Sequence, residues 1–164
     1  DCLDIQPEIL PCDIFKSESK LTVNKSYIIN SQTSNLSGSH FLCVLIKPKE
    51  IYYFDSLAFP LVNSYIDTKL KLMKKPIRSC NEHQAIQGAD SVFCGYYCLS
   101  FLIVCQKRKK SFDEYLKMIF FFFGIQLKKS FDEYLKMFSF DRPECYIRNE
   151  EICTSIIKSA LTVS

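Results

Sequence analysis

Gly38-Ser39-His40-Phe41-Leu42-Cys43-Val44-Leu45-Ile46-Lys47-Pro48-Lys49-Glu50-Ile51-Tyr52-Tyr53-Phe54-Asp55-Ser56 holds two apolar runs, rich in β-branched and aromatic residues, on either side of a four-residue polar link. Such runs read as strands, and a short Pro-containing link between them signals a hairpin. Both are nearly continuous in apolar character, as central strands buried on both faces are. Pairing them symmetrically about 47–50 sets Ile46 opposite Ile51 and Leu42 opposite Asp55. Side chains alternate along a strand, so His40 shares the face of Leu42 and is a diagonal neighbour of Asp55. Such a diagonal separates Cβ atoms by roughly 7 Å, a gap that an imidazole and a carboxylate close with one hydrogen bond.

Working outward, Ser26-Tyr27-Ile28-Ile29-Asn30 reads as a further short strand, 31–39 as a polar loop, and 3–20, with Pro7 and Pro11, as turn-rich chain. Downstream, Leu61, Tyr65, Leu70 and Met73 fall near helical spacing, which predicts a helical stretch within 61–75, and 80–89 reads as a loop. Cys94-Gly95-Tyr96-Tyr97-Cys98-Leu99-Ser100-Phe101-Leu102 then opens a helix that is apolar nearly all round, the mark of a helix buried at the centre of a domain. Asn149-Glu150-Glu151-Ile152 has the form of a cap and first turn, and it predicts a last amphipathic helix through Leu161.

One segment occurs twice. Lys109-Lys110-Ser111-Phe112-Asp113-Glu114-Tyr115-Leu116-Lys117-Met118 is repeated letter for letter at 128–137. Each copy carries a Ser-x-x-Glu capping box, Ser111 with Glu114 and Ser130 with Glu133, and so predicts a short helix. Two copies are too few for a solenoid. A compact domain has a native place for one of them, which leaves the other copy, with the run Ile119-Phe120-Phe121-Phe122-Phe123, as an inserted excursion.

The chain of 164 residues, 48% of them hydrophobic, suits a single globular domain over 1–164 and is unlike a disordered chain. A net charge of +3 does not argue for nucleic acid, and the one basic run, Lys107-Arg108-Lys109-Lys110, reads as a solvated stretch between helices. The apolar runs at 92–105 and 119–125 are shorter than the roughly 20 residues a spanning helix needs, so no membrane partner is expected. Nine cysteines, scattered without a C-x-x-C pair, favour neither a disulfide framework nor a zinc site. They fit a reducing compartment inside the cell, cytoplasm or nucleus, and no cofactor is called for. No signal peptide opens the sequence, and its start on Asp1 rather than methionine fits a processed piece, a domain cut from a larger product or an incomplete gene model.

Thiol chemistry needs a thiolate, a base, a group that orients the base and donors for an oxyanion. Cys94 sits at the first turn of its helix, where the helix dipole and free N–H groups favour a thiolate. Cys98 and Cys105, further along, read as small core residues. The base is His40 or His83. His40 opens a core strand and faces Asp55, whereas His83 lies in a polar loop between Glu82 and Gln84, so His40 is the expected base and Asp55 its orienting group. Gln87, on the loop leading to Cys94, can offer its side-chain amide to an oxyanion beside the backbone N–H of Cys94.

Gly38-Ser39-His40-Phe41, Tyr53-Phe54-Asp55-Ser56 and Gln87-x6-Cys94-Gly95-Tyr96-Tyr97-Cys98 together resemble the adenovirus protease family, in particular the versions carried by Maverick/Polinton DNA transposons. In that family a Gly-Ser/Thr-His-Trp motif carries the base, an Asp or Glu after the next strand orients it, and Gln-x6-Cys-Gly carries oxyanion donor and nucleophile. The resemblance implies an α+β, papain-like or adenain-like fold with a central mixed β-sheet flanked by helices. It also implies a cysteine endopeptidase that acts on protein chains, with maturation of the same element's capsid-like proteins as its task. Relatives are stimulated by a peptide and by DNA, so both are partners by analogy. Two features depart from the pattern: Phe41 stands where the family has tryptophan, and the repeat adds bulk after the nucleophile helix. Proteases for SUMO and other ubiquitin-like proteins share this fold and triad order, but they typically space Gln and Cys by five residues. A non-catalytic remnant or interaction module that keeps the scaffold is the alternative of another class.

Overall fold

The computed structural model describes residues 5–18, 20–79, 85–111, 113–115, 118 and 143–162, with side chains from 149 onward in the last segment. His83, the 119–125 run and the second copy of the repeat lie outside the described residues.

Five strands form one mixed sheet in the order β1 (Glu8–Pro11), β2 (Ser26–Asn30), β3 (Phe41–Ile46), β4 (Ile51–Phe54) and β5 (Ile77–Ser79). The β3–β4 hairpin has the register read from the sequence: Ile46 faces Ile51 and Cys43 faces Phe54, so one step further Leu42 meets Asp55. Lys47 N–H closes the turn on the Glu50 carbonyl at 2.9 Å. β2 pairs antiparallel with β3, whereas the edge strands β1 and β5 run parallel to their neighbours. Parallel neighbours need a crossover. α1 (Cys12–Ser17) lies between β1 and β2, and α2 (Ser64–Lys71) between β4 and β5.

Two cores result, one on each face of the sheet. Leu42, Val44 and Ile46 of β3 pack with Tyr27, Ile29 and Tyr53 against Cys12 and Phe15 of α1 and Ile66 and Leu70 of α2. Cys43 and Leu45, which alternate with them, pack with Phe54 against α3 (Cys94–Leu102) and α4 (Pro143–Leu161). This is why β3 is apolar at nearly every position: both faces of the strand are covered. The chain is therefore α+β, with a mixed sheet flanked by helices, as expected. Among the described residues no helix is long and apolar enough to cross a membrane.

Five elements differ from the reading of the sequence. The turn-rich 3–20 contains β1 and α1. An edge strand tolerates flanking prolines because only one of its sides is paired, and β2 supplies that pairing from elsewhere in the chain. β5 is three residues long and is likewise defined by its neighbour, β4. α2 is shorter than 61–75, starting after Asn63, whose side chain caps the Tyr65 and Ile66 N–H groups. It buries Ile66 and Leu70, while Tyr65 is exposed. α4 begins at Pro143, so Asn149 is inside the helix and does not cap it. Proline suits the first helical position, where no N–H is needed.

α3 runs on into a π-helical turn, Ile103–Lys107. Three residues of the basic run are engaged there: Lys107 donates to the Ala160 carbonyl, Arg108 to Ser159 Oγ at 2.7 Å, and Lys110 pairs with Glu114 at 3.1 Å. The first copy of the repeat forms the capping box. Glu114 N–H donates to Ser111 Oγ at 3.2 Å and Ser111 N–H to Glu114 Oε2 at 2.7 Å. Its Tyr115 is fully buried, with its ring edge-on to Phe54 and Phe101, which stack on each other 4.7 Å apart.

Candidate active site

His40 precedes the first residue of β3, and its carbonyl extends the β2–β3 ladder by accepting the Ser31 N–H at 2.9 Å. Just before it, Gly38 has φ +85°, and a Cβ there would sit 2.3 Å from Asn30 Nδ2. The left-handed backbone is what favours glycine here, and any other side chain would also have to displace the Asn30 amide. Asp55 follows the last residue of β4. The register puts the two side chains on the expected diagonal, and His40 Nε2 meets Asp55 Oδ1 at 2.8 Å. Asp55 Oδ1 also accepts the Leu57 N–H at 2.9 Å, and the nearby Asp55 carboxylate adds to burial in raising the Tyr53 hydroxyl. Both members of the pair are buried, His40 at 9% and Asp55 at 2% exposure.

With Nε2 engaged by Asp55, Nδ1 is the ring nitrogen left for Cys94, whose thiol and the imidazole each shift the other's pKa. Cys94 is the first residue of α3, and no side chain caps that helix, so its leading N–H groups are not consumed by a cap. Burial pushes the Cys94 thiol up, but the His40 hydrogen bond and the backbone N–H groups of Phe41 and Gly95 outweigh it, and the net direction is downward from 9.0. Burial likewise opposes an imidazolium at His40. The hydrogen bonds to Asp55 and Cys94 overcome that and hold its pKa at about 9. A thiolate beside an imidazolium is the state both directions favour. Cys98 and Cys105 behave as core residues. Both are fully buried, and burial raises the first thiol well above 9.0 and the second to about 12.

Gln87 is 2% exposed and lies in the loop before α3. Its Oε1 accepts from Ser56 Oγ at 2.6 Å, and its Nε2 donates to the Ser91 carbonyl at 2.7 Å. An amide nitrogen has two N–H groups, so one remains for a ligand. The Ser56 carbonyl also accepts the Ile86 and Gln87 N–H groups, at 2.9 and 3.1 Å. Asp55 and Ser56, adjacent in sequence, thus hold the imidazole and the glutamine loop respectively. Ser56 was not singled out in the sequence, where a serine after a strand is ordinary turn chemistry.

His40, Gln87 and Cys94 line one cleft of about 500 Å³ with Gly38, Tyr96 and Leu57. Asp55 stands behind His40. Among the described lining residues, His40 is the one with a titratable base, and none is a carboxylate, lysine or arginine. The structure thus brings the four side chains singled out in the sequence, from three distant segments, to one place.

Neither a scan of protein-family models nor a search of curated proteins finds a match to this chain. Among solved structures, the ASFV pS273R protease is similar to it with 17% sequence identity and a TM-score of 0.41, over 84% of this chain and 52% of that one. The chain spans about half the length of that protease.

Proposed function

We propose that this chain is a cysteine endopeptidase with Cys94 as nucleophile, His40 as general base and acid, Asp55 as the group that orients His40, and Gln87 as oxyanion donor. The observation that carries the reading is the 2.8 Å His40–Asp55 hydrogen bond in the cleft that Cys94 shares, with the thiol shifted down and the imidazole shifted up by each other. In the reaction the Cys94 thiolate attacks the scissile carbonyl carbon. The oxyanion takes hydrogen bonds from Gln87 Nε2 and the Cys94 backbone N–H, and His40 passes its proton to the leaving amine. The thioester is then hydrolysed by water that the neutral imidazole deprotonates.

The substrate is a protein chain, and the motif resemblance directs the choice to structural proteins of a virus-like mobile element. The site of action is inside the cell, where thiols stay reduced. Among the described residues, Cys12, Cys43, Cys94, Cys98, Cys105 and Cys153 are all free thiols, in keeping with that.

The test is cleavage of capsid-type precursors and of a ubiquitin-like precursor extended beyond Gly-Gly, with wild type and Cys94→Ala in parallel. Cleavage of the capsid-type precursor that Cys94→Ala abolishes is expected. Equal activity of Cys94→Ala would end the reading. Preference for the Gly-Gly precursor would transfer the enzyme to the ubiquitin-like class. Failure of Cys94 to alkylate faster than the other thiols at neutral pH would mark a non-catalytic scaffold.

A further inference from the structure

Ile86, the residue before Gln87, is fully buried, and its carbonyl oxygen accepts two side-chain hydrogen bonds, from Tyr97 Oη at 2.9 Å and Asn149 Nδ2 at 2.8 Å. The two lone pairs of that carbonyl are both used. Tyr97 belongs to the nucleophile helix, but Asn149 comes from α4, near the other end of the chain. Asn149 is 1% exposed, and its Oδ1 has no hydrogen-bond partner among the described residues. A buried amide with an unpaired oxygen is disfavoured against an apolar side chain of the same shape. Packing alone therefore argues against asparagine here, and its bond to Ile86 is what the residue contributes.

The next residue of α4 holds the far end of the same loop. Glu150 Oε1 accepts from Ser91 Oγ, and that hydroxyl oxygen accepts the Phe93 N–H at 3.2 Å. Ser91 also presents its carbonyl to Gln87 Nε2. Two consecutive residues of one helix thus hold both ends of the 86–93 loop.

We propose that Asn149 and Glu150 are positioning residues that brace the 86–93 loop from α4 and thereby aim the Gln87 amide at the oxyanion. This rests on the reading of Gln87 as an oxyanion donor in a cysteine peptidase. The brace touches neither His40 nor Cys94, so its removal acts on transition-state stabilisation and leaves the thiolate–imidazolium pair intact. A donor displaced by about 1 Å costs up to about 10²-fold in rate.

The test uses Asn149→Leu and Glu150→Ala in the full chain. Four readings are taken: kcat and KM on a peptide substrate, the alkylation rate of Cys94 by iodoacetamide, amide hydrogen exchange over 86–93, and thermal unfolding. The expected result is a kcat lower by about 10- to 100-fold. KM and Cys94 alkylation stay within about twofold, and exchange over 86–93 speeds by about tenfold. Folded variants with wild-type kcat and wild-type exchange would overturn the proposal. A fall in Cys94 alkylation that parallels the fall in kcat would overturn it too, because α4 would then act on the ion pair. If Asn149→Leu does not fold, Glu150→Ala, at a half-buried position, decides by the same readings. Exchange and alkylation need no turnover. A wild-type chain that hydrolyses nothing while its loop still depends on Asn149 would therefore sink the peptidase reading and leave the brace standing.

Discussion

At the open end of α3 the Cys94 thiol is held below 9.0, whereas one turn further in Cys98 is pushed well above it, and Cys105 beyond the helix's end rises to about 12. All three are buried cysteines on one continuous helical segment, and burial raises each of them. The difference is what surrounds the sulfur. Cys94 meets the His40 imidazole and two backbone N–H groups, whereas Cys98 donates to the Phe41 carbonyl at 3.6 Å and is raised by burial first and then by the negative charges of Cys94 and Asp55. Residue type and burial do not predict thiol chemistry; donors near the sulfur do.

The contrast breaks most sharply if His40 is removed. His40→Ala lowers kcat/KM by about 10³-fold and moves the pH dependence of Cys94 alkylation up toward that of an ordinary thiol. Cys98→Ala leaves hydrolysis within about threefold and costs stability alone, by about 1 kcal/mol. Peptide hydrolysis and iodoacetamide titration check both. Wild-type alkylation of Cys94 in His40→Ala would mean that the helix terminus, not the imidazole, controls the thiol.

Next in size is Gln87→Ala, expected to lower kcat by about 10²-fold while Cys94 alkylates at its normal rate. A parallel loss of alkylation would place Gln87 with the ion pair instead of the oxyanion.

The pH dependence sharpens the same comparison. Alkylation of Cys94 rises as pH passes its lowered pKa, at a pH where Cys98 and Cys105 are still inert. Stability moves with His40. Its folded pKa of about 9 lies above the ordinary 6.5, so the folded state binds the proton more tightly than the unfolded chain. Its contribution is fully present below about 6.5 and is lost as pH rises through about 9. The lowered Cys94 pKa acts with the opposite sign in this window. Denaturant titrations at pH 6 and pH 9.5 therefore read the His40 loss in Cys94→Ala, where the Asp55 partner remains, and adding His40→Ala should remove that slope.

The smallest effect belongs to the buried end. The Tyr115 hydroxyl is hydrogen-bonded to Ser100 Oγ of α3 at 2.8 Å. Tyr115→Phe should cost about 1 kcal/mol in unfolding and leave Cys94 alkylation unchanged. A change in alkylation would show that the two ends of α3 are coupled.

Much of this arrangement was legible in advance because it depends on short-range patterns. The hairpin register followed from the apolar runs and the four-residue link, and through it the diagonal of His40 and Asp55. The start of α3 at Cys94 followed from the apolar stretch behind it. β1, β5 and the role of Asn149 were not legible. A three- or four-residue edge strand is made by its neighbour, and Asn149 has the look of a cap until Pro143 is seen to begin the helix.

What the sequence alone determined was therefore the local order: strand, turn, strand, buried helix, with Cys94, His40, Asp55 and Gln87 singled out along it, because side-chain alternation and helical periodicity are properties of a few neighbouring residues. What only the tertiary structure decided was which distant groups support them. Ser56 holds the Gln87 amide, Tyr97 and Asn149 hold the Ile86 carbonyl, and donors around Cys94 reverse the effect of burial. Those contacts join segments far apart in the chain, and hydrogen-bond partners across such separations are set by how the layers pack, which no local pattern encodes.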